Sequence, residues 1–282
     1  MPDGLYVSVS QVKCWLRCPR QFELKYVRGA APAFVPVALA FGTAVHEALA
    51  AFYLELKSAG FPLRLDLVLD VFRATWSRAV EGGVPLQDDE DGDDPRTMVD
   101  RGVSVLNAFY EHASCAPALV VEEVERGFVV PLRDPDSGDV LDEVLVGTWD
   151  LVAVEGGRRL IIEHKTASRK YGSDQLEHDI QPTAYKLGAR EAGLGDVALR
   201  YQVLLKTKVP SVQIADIERR LDQEDDFLRI AGGVLRAVDA GVFFPVRGWH
   251  CRSCPYSYTC VGARTGSSSK QPRLTSPATR SR

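Results

Sequence analysis

The chain has 282 residues, of which 45% are hydrophobic and 26% are charged, proportions typical of a globular protein rather than a disordered or fibrous one. Its 34 basic and 38 acidic side chains give a formal charge of −4, which excludes a global basic field as the means of binding nucleic acid. No apolar run approaches the roughly 18 residues of a membrane span, and Met1-Pro2-Asp3-Gly4 does not begin a signal peptide. We therefore expect a cytoplasmic protein with no membrane partner.

Charge is unevenly distributed along the chain. Six of the seven residues at 88–94 are acidic, and we expect a solvated loop there. The segment 264–282 contains five bases and no acid, and its Ser, Pro and Thr content supports only a disordered tail. Any site for a polyanion must therefore be local, made by a few side chains or by bound metal ions.

The N-terminal part is predicted to be helical. Ser8 and Gln11 have the spacing of a capping box at the start of a first helix. Pro19 should end that helix, because proline lacks the N–H that a helix interior uses, and a second short helix follows it. After a loop at 29–38, apolar residues with helical periodicity predict three longer helices, at 41–58, 65–80 and 96–113.

The periodicity then changes to that of β-strands. Alternating residues and turn signals predict a meander of three strands, at 124–132, 140–154 and 159–166. A helix, a strand and a further helix follow, at 174–192, 199–207 and 222–240. The order around the middle of the chain is therefore αβββαβ, an α/β core with helical N-terminal material and a cysteine-bearing C-terminal segment.

Three charged side chains lie on the second and third predicted strands. Asp150 is late in the second strand, and Glu163 and Lys165 are in the third. Residues two apart on a strand share a face, so Glu163 and Lys165 project together while His164 points away. Asp150 and Glu163 lie on adjacent strands and can be neighbours. Because two neighbouring carboxylates repel each other unless a cation lies between them, Asp150 and Glu163 predict an Mg²⁺ or Mn²⁺ site.

The lysine indicates a reaction. Near a metal-bound water, Lys165 can orient the nucleophile and offset negative charge at phosphorus, as phosphodiester hydrolysis requires. An isolated Glu-x-Lys pair is more often a solvated ion pair. Here, however, three apolar residues at 160–162 precede Glu163 and are typical of a buried strand, where a charged pair needs compensation.

Two further segments supply polar groups. His46 lies one position from the apolar stripe of its helix. It is either a histidine at the edge of the core or a ligand to a metal ion, and the sequence leaves both interpretations open. Gln181 and Tyr185 are four residues apart on a helix and share one face. Packing is one interpretation of this pair, and contact with a phosphate or with the attacking water is the other.

These residues form an ordered set of motifs: G-T-x-x-H-E, G-x-x-D, E-x-K-T and Q-x3-Y, at 42–47, 147–150, 163–166 and 181–185. The set resembles the RecB-like branch of the PD-(D/E)XK nuclease superfamily, which has a restriction-endonuclease-like fold. It is most similar to small iron–sulfur-cluster exonucleases of the CRISPR-associated and phage type. Each motif is weak alone, but their order and spacing together are specific.

The resemblance implies a set of metal ligands. His46, Asp150 and Glu163 match the family's ligands, and His164 fills a variable position at which only the backbone carbonyl would contact the metal. The P-D in the superfamily's name denotes a proline directly before the aspartate, and no proline precedes Asp150 in this chain. The implied cofactor is Mg²⁺ or Mn²⁺.

The resemblance also implies catalytic groups and a reaction. Lys165 matches the catalytic lysine, while Gln181 and Tyr185 match an accessory motif that contacts DNA or supports the site. The implied protein is a metal-dependent DNA exonuclease that prefers single strands or frayed ends. The alternatives are a nuclease subunit with a helicase or integrase partner, in recombination or CRISPR spacer acquisition, and an inactive metal-cluster DNA-binding module.

The cysteines predict a second metal site. Three of them form a C-x2-C-x5-C segment, at Cys251, Cys254 and Cys260. We favour Cys18 as the fourth ligand because the following Pro19 breaks the helix, and Cys14 is the competing candidate. Four thiolates fit zinc or an iron–sulfur cluster, and the resemblance implies a structural [4Fe–4S] cluster. Cys115 has no sequence partner, and we expect it to be a buried small apolar residue.

Together these features predict one nuclease domain over 1–263. Its iron–sulfur region combines residues 8–28 and 241–261. A helical insertion spans 60–120, and the catalytic core spans 121–210. Bases and aromatic residues near the cysteines are candidate contacts for DNA phosphates and bases, namely Arg17, Arg20, Lys25, Tyr26, Arg252, Tyr256 and Tyr258.

Overall fold

The computed structural model of the chain describes residues 6–87 and 94–262. The predicted basic tail, and the predicted acidic loop apart from Asp94, lie outside the described residues. In the described part, a six-stranded mixed sheet separates two hydrophobic cores, each covered by helices.

Three short elements begin the described chain: β1 (Tyr6–Ser8), α1 (Val9–Arg17) and α2 (Pro19–Phe22), the last followed by a π-helix (Glu23–Val27). The Ser8 and Gln11 side chains each accept a hydrogen bond from the other's backbone N–H, so the predicted capping box is present. Cys18 has an extended backbone, and Pro19 is the first residue of α2. Pro19 therefore breaks the helix as predicted.

The helical layer contains β2 (Val35–Pro36), α3 (Val37–Ala59), α4 (Leu65–Glu81), β3 (Leu86–Gln87), a 3₁₀ turn (Pro95–Thr97) and α5 (Met98–Cys115). The helix α3 buries Phe41, Val45 and Leu49 against α4 and α5. By length and composition alone α3 could cross a membrane, but half of its most apolar stretch is buried in the fold. Its packing is that of a core helix.

The sheet is built from β4 (Leu119–Arg133), β5 (Val140–Glu155), β6 (Arg158–Ala167), β7 (Ala198–Leu205) and β8 (Ser211–Ile217), with β1 at one side. β4, β5 and β6 form the predicted antiparallel meander. β7 then pairs parallel to β6 and antiparallel to β8. The αβββαβ order is confirmed, and β1 and β8 are strands that the sequence analysis did not predict.

The remaining helices are α6 (Ser173–His178), α7 (Ile180–Glu191), α8 (Leu221–Asp239) and α9 (Ser257–Gly262), with a 3₁₀ turn (Trp249–Cys251) before α9. α1, α7 and α8 cover the face of the sheet opposite α3, α4 and α5. The α/β fold class is therefore as predicted, and the helices that carry the candidate site residues lie on opposite faces of the sheet.

One predicted helix is divided. The expectation of a continuous helix at 174–192 is wrong, because Asp179 has an extended backbone between α6 and α7. Its side chain accepts a hydrogen bond from the backbone N–H of Gln181 at 2.9 Å and caps α7. Pro182 is tolerated in the first turn, where helix N–H groups have no intrahelical partner.

The close approach of α4 and α5 can be tested at Gly102. A Cβ added to Gly102 would lie 2.0 Å from the Phe72 ring. We expect Gly102→Ala to destabilise the protein by about 1–2 kcal/mol, because overpacking outweighs the higher helix propensity of alanine. Gly233→Ala is the matched control, since a Cβ there meets open space. Urea unfolding of both variants measures the difference, and equal stabilities would contradict the described packing.

Candidate active site

The candidate site lies where β5 changes its neighbour. Residues 151–155 of β5 pair with β6, and residues 144–146 pair with β1 along the same edge. Within the described ladders, residues 147–150 pair with neither strand on that edge. Asp150 ends this stretch, and Glu163 is the first residue of β6 beyond its pairing with β5. The two carboxylates therefore lie on the two arms of a strand fork.

The backbone of β5 is irregular at this fork. Trp149 and Leu151 pack into opposite cores, although residues two apart on a regular strand share a face. On the neighbouring β4, Glu125 lies at the same level as Asp150 and has a φ of 50°. This left-handed conformation is rare for any residue except glycine. The irregularity directs Asp150 toward the fork.

Asp150 has two polar partners. Its Oδ2 accepts a hydrogen bond from the backbone N–H of His164 at 2.7 Å, and His46 Nδ1 of α3 lies 3.5 Å from the same oxygen. Burial raises the pKa of Asp150, but the hydrogen bonds and charges of His46 and His164 together lower it by more, so that the pKa lies below its ordinary value. Asp150 is therefore a buried carboxylate that stays ionised.

Glu163 is held by a separate set of side chains. Lys165 Nζ lies 2.5 Å from its Oε1, Gln181 Nε2 donates to the same oxygen at 2.8 Å, and the Tyr185 hydroxyl contacts its Oε2. Lys165 also donates to Gln181 Oε1 at 2.9 Å. Burial raises the pKa of Glu163, and the charge of Lys165 offsets part of this rise.

Asp150 and part of the Glu163 group line one cleft, whereas His46 lines a separate depression on the α3 side. Asp150, Glu163, Gln181 and Tyr185 all contribute to a cleft of about 780 Å³. His164 projects to the other face, where its ring stacks on Tyr53 at 5.4 Å and both ring nitrogens lack a hydrogen-bond partner. The backbone N–H of His164 therefore contacts Asp150, while its imidazole packs on the α3 side near His46 and Tyr53.

Comparison with known families decides the assignment. Residues 6–261 match the PD-(D/E)XK nuclease superfamily. The chain belongs to this superfamily. The match confirms the superfamily that was inferred from the motifs. Members of this superfamily typically use divalent metal ions.

One of two similar solved structures agrees with the fold of this PD-(D/E)XK protein. A candidate exonuclease from Eubacterium rectale aligns at a TM-score of 0.52 and 13% identity, over 95% of this chain and 90% of that one. The structure of SSO0001 aligns at a TM-score of 0.43 and 15% identity, over 93% and 88% of the two chains. No curated protein matches the sequence significantly.

Sequence analysis missed one side chain beside the candidate site. Possible ligand atoms of Glu125, His46 and Asp150 all lie within 4.8 Å of one another, so these three could hold a metal ion. Glu125 also lines a depression beside His46, on the α3 side of the sheet. The sequence signal was weak. Glu125 is one of four charged residues in the segment 122–126, and nothing in the sequence distinguishes it from the others.

The cysteines of this superfamily member surround a second cavity. Its volume is about 180 Å³, and it is lined by Cys18, Cys251, Cys254 and Cys260. Cys14 is absent from the lining of that cavity, and burial raises its pKa to about 11. Cys115 is exposed at the end of α5, so the expectation that it is buried is wrong. All four favoured thiols thus come from the two ends of the described chain.

The strained backbone at Glu125 predicts an unusual order of stabilities. In a regular strand, glycine is less stable than alanine by about 0.5–1 kcal/mol. At a φ of 50°, alanine retains a steric cost of about 1–2 kcal/mol that glycine lacks. We therefore expect Glu125→Gly to be more stable than Glu125→Ala, as measured by urea unfolding without divalent metal. If Glu125→Ala is instead more stable than Glu125→Gly, as in a regular strand, the left-handed conformation is contradicted.

Proposed function

We propose that the chain is a metal-dependent DNA exonuclease of the RecB-like branch, which hydrolyses phosphodiester bonds of single strands or frayed ends. The observation that carries this proposal is the pair of buried carboxylates at the strand fork, Asp150 and Glu163, with the Lys165 ammonium beside them. Burying such charges is unfavourable for stability alone. The Eubacterium rectale protein that shares the fold is named as a candidate for the same class of reaction.

The proposed metal ligands are His46, Asp150, Glu163 and the backbone carbonyl of His164. Oxygen-rich ligand sets suit Mg²⁺ and Mn²⁺, and an imidazole ligand is compatible with manganese. When bound, such an ion lowers the pKa of a coordinated water and polarises the scissile phosphate. Glu125 is a further candidate ligand, because its carboxylate reaches the same space as His46 and Asp150.

Lys165 is the proposed catalytic cation. Its position between Glu163 and Gln181 is consistent with orienting the attacking water and offsetting charge at phosphorus. Gln181 is proposed to fix both neighbours, since its amide donates to Glu163 and accepts from Lys165. Tyr185 closes the set, because its hydroxyl contacts both Glu163 and the Thr148 carbonyl on the unpaired stretch of β5.

A basic pocket near the site supports contact with the DNA backbone. This pocket of about 390 Å³ includes Arg17, Lys25, Phe34 and Tyr256 in its lining and no acidic residue. Leu39 lines both this pocket and the depression beside His46. Arg17 and Lys25 can contact phosphates there, whereas the Phe34 and Tyr256 rings are buried and form the apolar wall of the pocket.

Other predicted DNA contacts differ in availability. Tyr258 is 80% exposed and can stack on a base. Arg20 is paired with the buried Glu23, which is also 2.6 Å from Arg28. We therefore propose Tyr258, rather than Arg20, as part of the DNA surface.

We further propose that the four-thiol cavity holds a structural [4Fe–4S] cluster. Four thiolates fit either zinc or an iron–sulfur cluster, and the cavity lining brings the four favoured thiols together. The resemblance to iron–sulfur-cluster exonucleases favours the cluster over zinc. Such a cluster would join the chain ends across 233 positions, from Cys18 to Cys251.

The wider setting belongs to the same proposal. Cluster ligands must remain reduced thiols, which favours the cytoplasm. One nuclease domain over 1–263, with the predicted parts, stays our proposal for the domain organisation. A nuclease subunit working with a helicase or integrase is the second candidate, and copurification of such a partner would favour it.

The central activity assay uses end-labelled DNA with Mg²⁺ or Mn²⁺. We expect wild-type protein to degrade single strands faster than blunt duplexes, and chelator to stop the reaction. Asp150→Ala and Lys165→Ala should each lower the rate at least about 100-fold, because each removes a group needed at the reacting phosphate. Asp136→Asn is the control, since Asp136 pairs with Arg229 on the exposed surface.

Three results would contradict this proposal. Hydrolysis that persists in Asp150→Ala and Lys165→Ala would show that the site is elsewhere. Equal rates on single strands and blunt duplexes would remove the strand preference alone. Binding of DNA without any metal-dependent hydrolysis would favour the inactive DNA-binding module.

The cofactor prediction is tested by elemental analysis of protein purified without oxygen. We expect about four iron and about four acid-labile sulfide per chain, with visible absorbance. Cys254→Ser should lose the iron, whereas Cys115→Ser should retain it, because Cys115 lies at the end of α5. One zinc per chain without sulfide would contradict the cluster and leave the hydrolytic site unaffected.

A further inference from the structure

Asp179 lies beside the proposed hydrolytic site and has not been assigned a function in it. It is the N-cap of α7, and only 13% of its side chain is exposed. Its Oδ1 accepts the backbone N–H of Gln181 at 2.9 Å, and its Oδ2 accepts the Tyr201 hydroxyl at 3.0 Å. Both carboxylate oxygens are therefore engaged with residues near the site.

Both of these contacts lead to Lys165. Gln181 accepts a hydrogen bond from the Lys165 ammonium at 2.9 Å. The same ammonium lies 5.5 Å from the centre of the Tyr201 ring, within the range of a cation–π interaction. The Asp179 carboxylate thus fixes Gln181 and Tyr201, which both surround the Lys165 ammonium. Glu163 is a third group beside that ammonium.

A further contact ties Asp179 to the N-terminal helix. Lys13 of α1 lies with its Nζ 2.6 Å from Asp179 Oδ1, the oxygen that also caps α7. The next residue on α1 is Cys14, and the residue that follows the helix is Cys18 of the four-thiol cavity. This ion pair therefore connects the cysteine-bearing helix to the helix that carries Gln181.

We propose that Asp179 is a positioning residue for Lys165 and Gln181, and that Lys13 makes this positioning depend on the placement of α1. The inference rests on the proposed nuclease function, which it deepens. In this arrangement a displacement of α1 at the cysteine cavity changes the rate of hydrolysis without altering any catalytic side chain. The thiol site then influences turnover through the Lys13–Asp179 ion pair.

The kinetic test uses Lys13→Met, Asp179→Asn and the double variant. Asparagine caps helices as well as aspartate does, so Asp179→Asn keeps the helix start while it removes the charge and the oxygen that accepts the Tyr201 hydroxyl. We expect each single variant to lower kcat on single-stranded DNA about fivefold, with KM unchanged, as loss of one partly buried ion pair predicts. The double variant should be no slower than the slower single one, and Lys13→Arg should retain the wild-type rate.

Controls separate positioning from a general loss of stability. Arg229→Met removes an ion pair of 2.9 Å on the exposed surface, and it should leave kcat unchanged. The folded fraction of each variant, measured by near-ultraviolet circular dichroism at the assay temperature, should equal that of wild type. A loss of kcat that follows the folded fraction, or additive losses in the double variant, would overturn the proposal.

Hydrogen exchange tests the link without relying on activity. The backbone N–H of Gln181 should exchange about fivefold faster in Lys13→Met than in wild type, because its acceptor is released from α1. Arg229→Met should not change that rate. If wild-type protein hydrolyses no DNA, the proposed function fails, while the exchange rate still decides whether Lys13 secures α7. Unchanged exchange would overturn the inference whatever the activity.

Discussion

The candidate site depends on a constraint of strand pairing: one edge of β5 is shared by two strands. β6 occupies its C-terminal part and β1 its N-terminal part, so a short unpaired stretch remains between them. Asp150 and Glu163 stand at the ends of this gap, where side chains rather than a neighbouring strand fill the space. The fork therefore brings two carboxylates together without a local motif that joins them in sequence.

The protein compensates these buried charges in two separate groups. Asp150 is stabilised from the α3 side by His46 and by a backbone N–H, whereas Glu163 is stabilised from the α7 side by Lys165, Gln181 and Tyr185. Each carboxylate retains an ionic or hydrogen-bonding partner, as buried charges require. The two faces of the sheet thus contribute different chemistry, an imidazole on one and an ammonium on the other.

Sequence periodicity was sufficient for the meander and for the order of the candidate residues. Alternation along β6 separated Glu163 from His164, and the apolar run before Glu163 indicated a buried strand. It could not identify Glu125, because the irregularity in β4 and β5 arises from their pairing and leaves no trace in either apolar pattern. Helical periodicity continues across Asp179 and hid the division of α6 from α7, although Asp179 as an N-cap residue and Pro182 in the first turn are sequence signals of a helix start. The edge strand β8 was missed because only two of its seven residues are buried, which leaves a weak apolar pattern.

The most direct test of this account is the position of a bound ion. Crystals grown with Mn²⁺ and measured at an energy where manganese scatters anomalously would locate the metal independently of the rest of the map. The account predicts an anomalous peak within coordination distance of both Asp150 and Glu163. Manganese bound away from both carboxylates, or no manganese in the fork of a crystal soaked at saturating concentration, would contradict it.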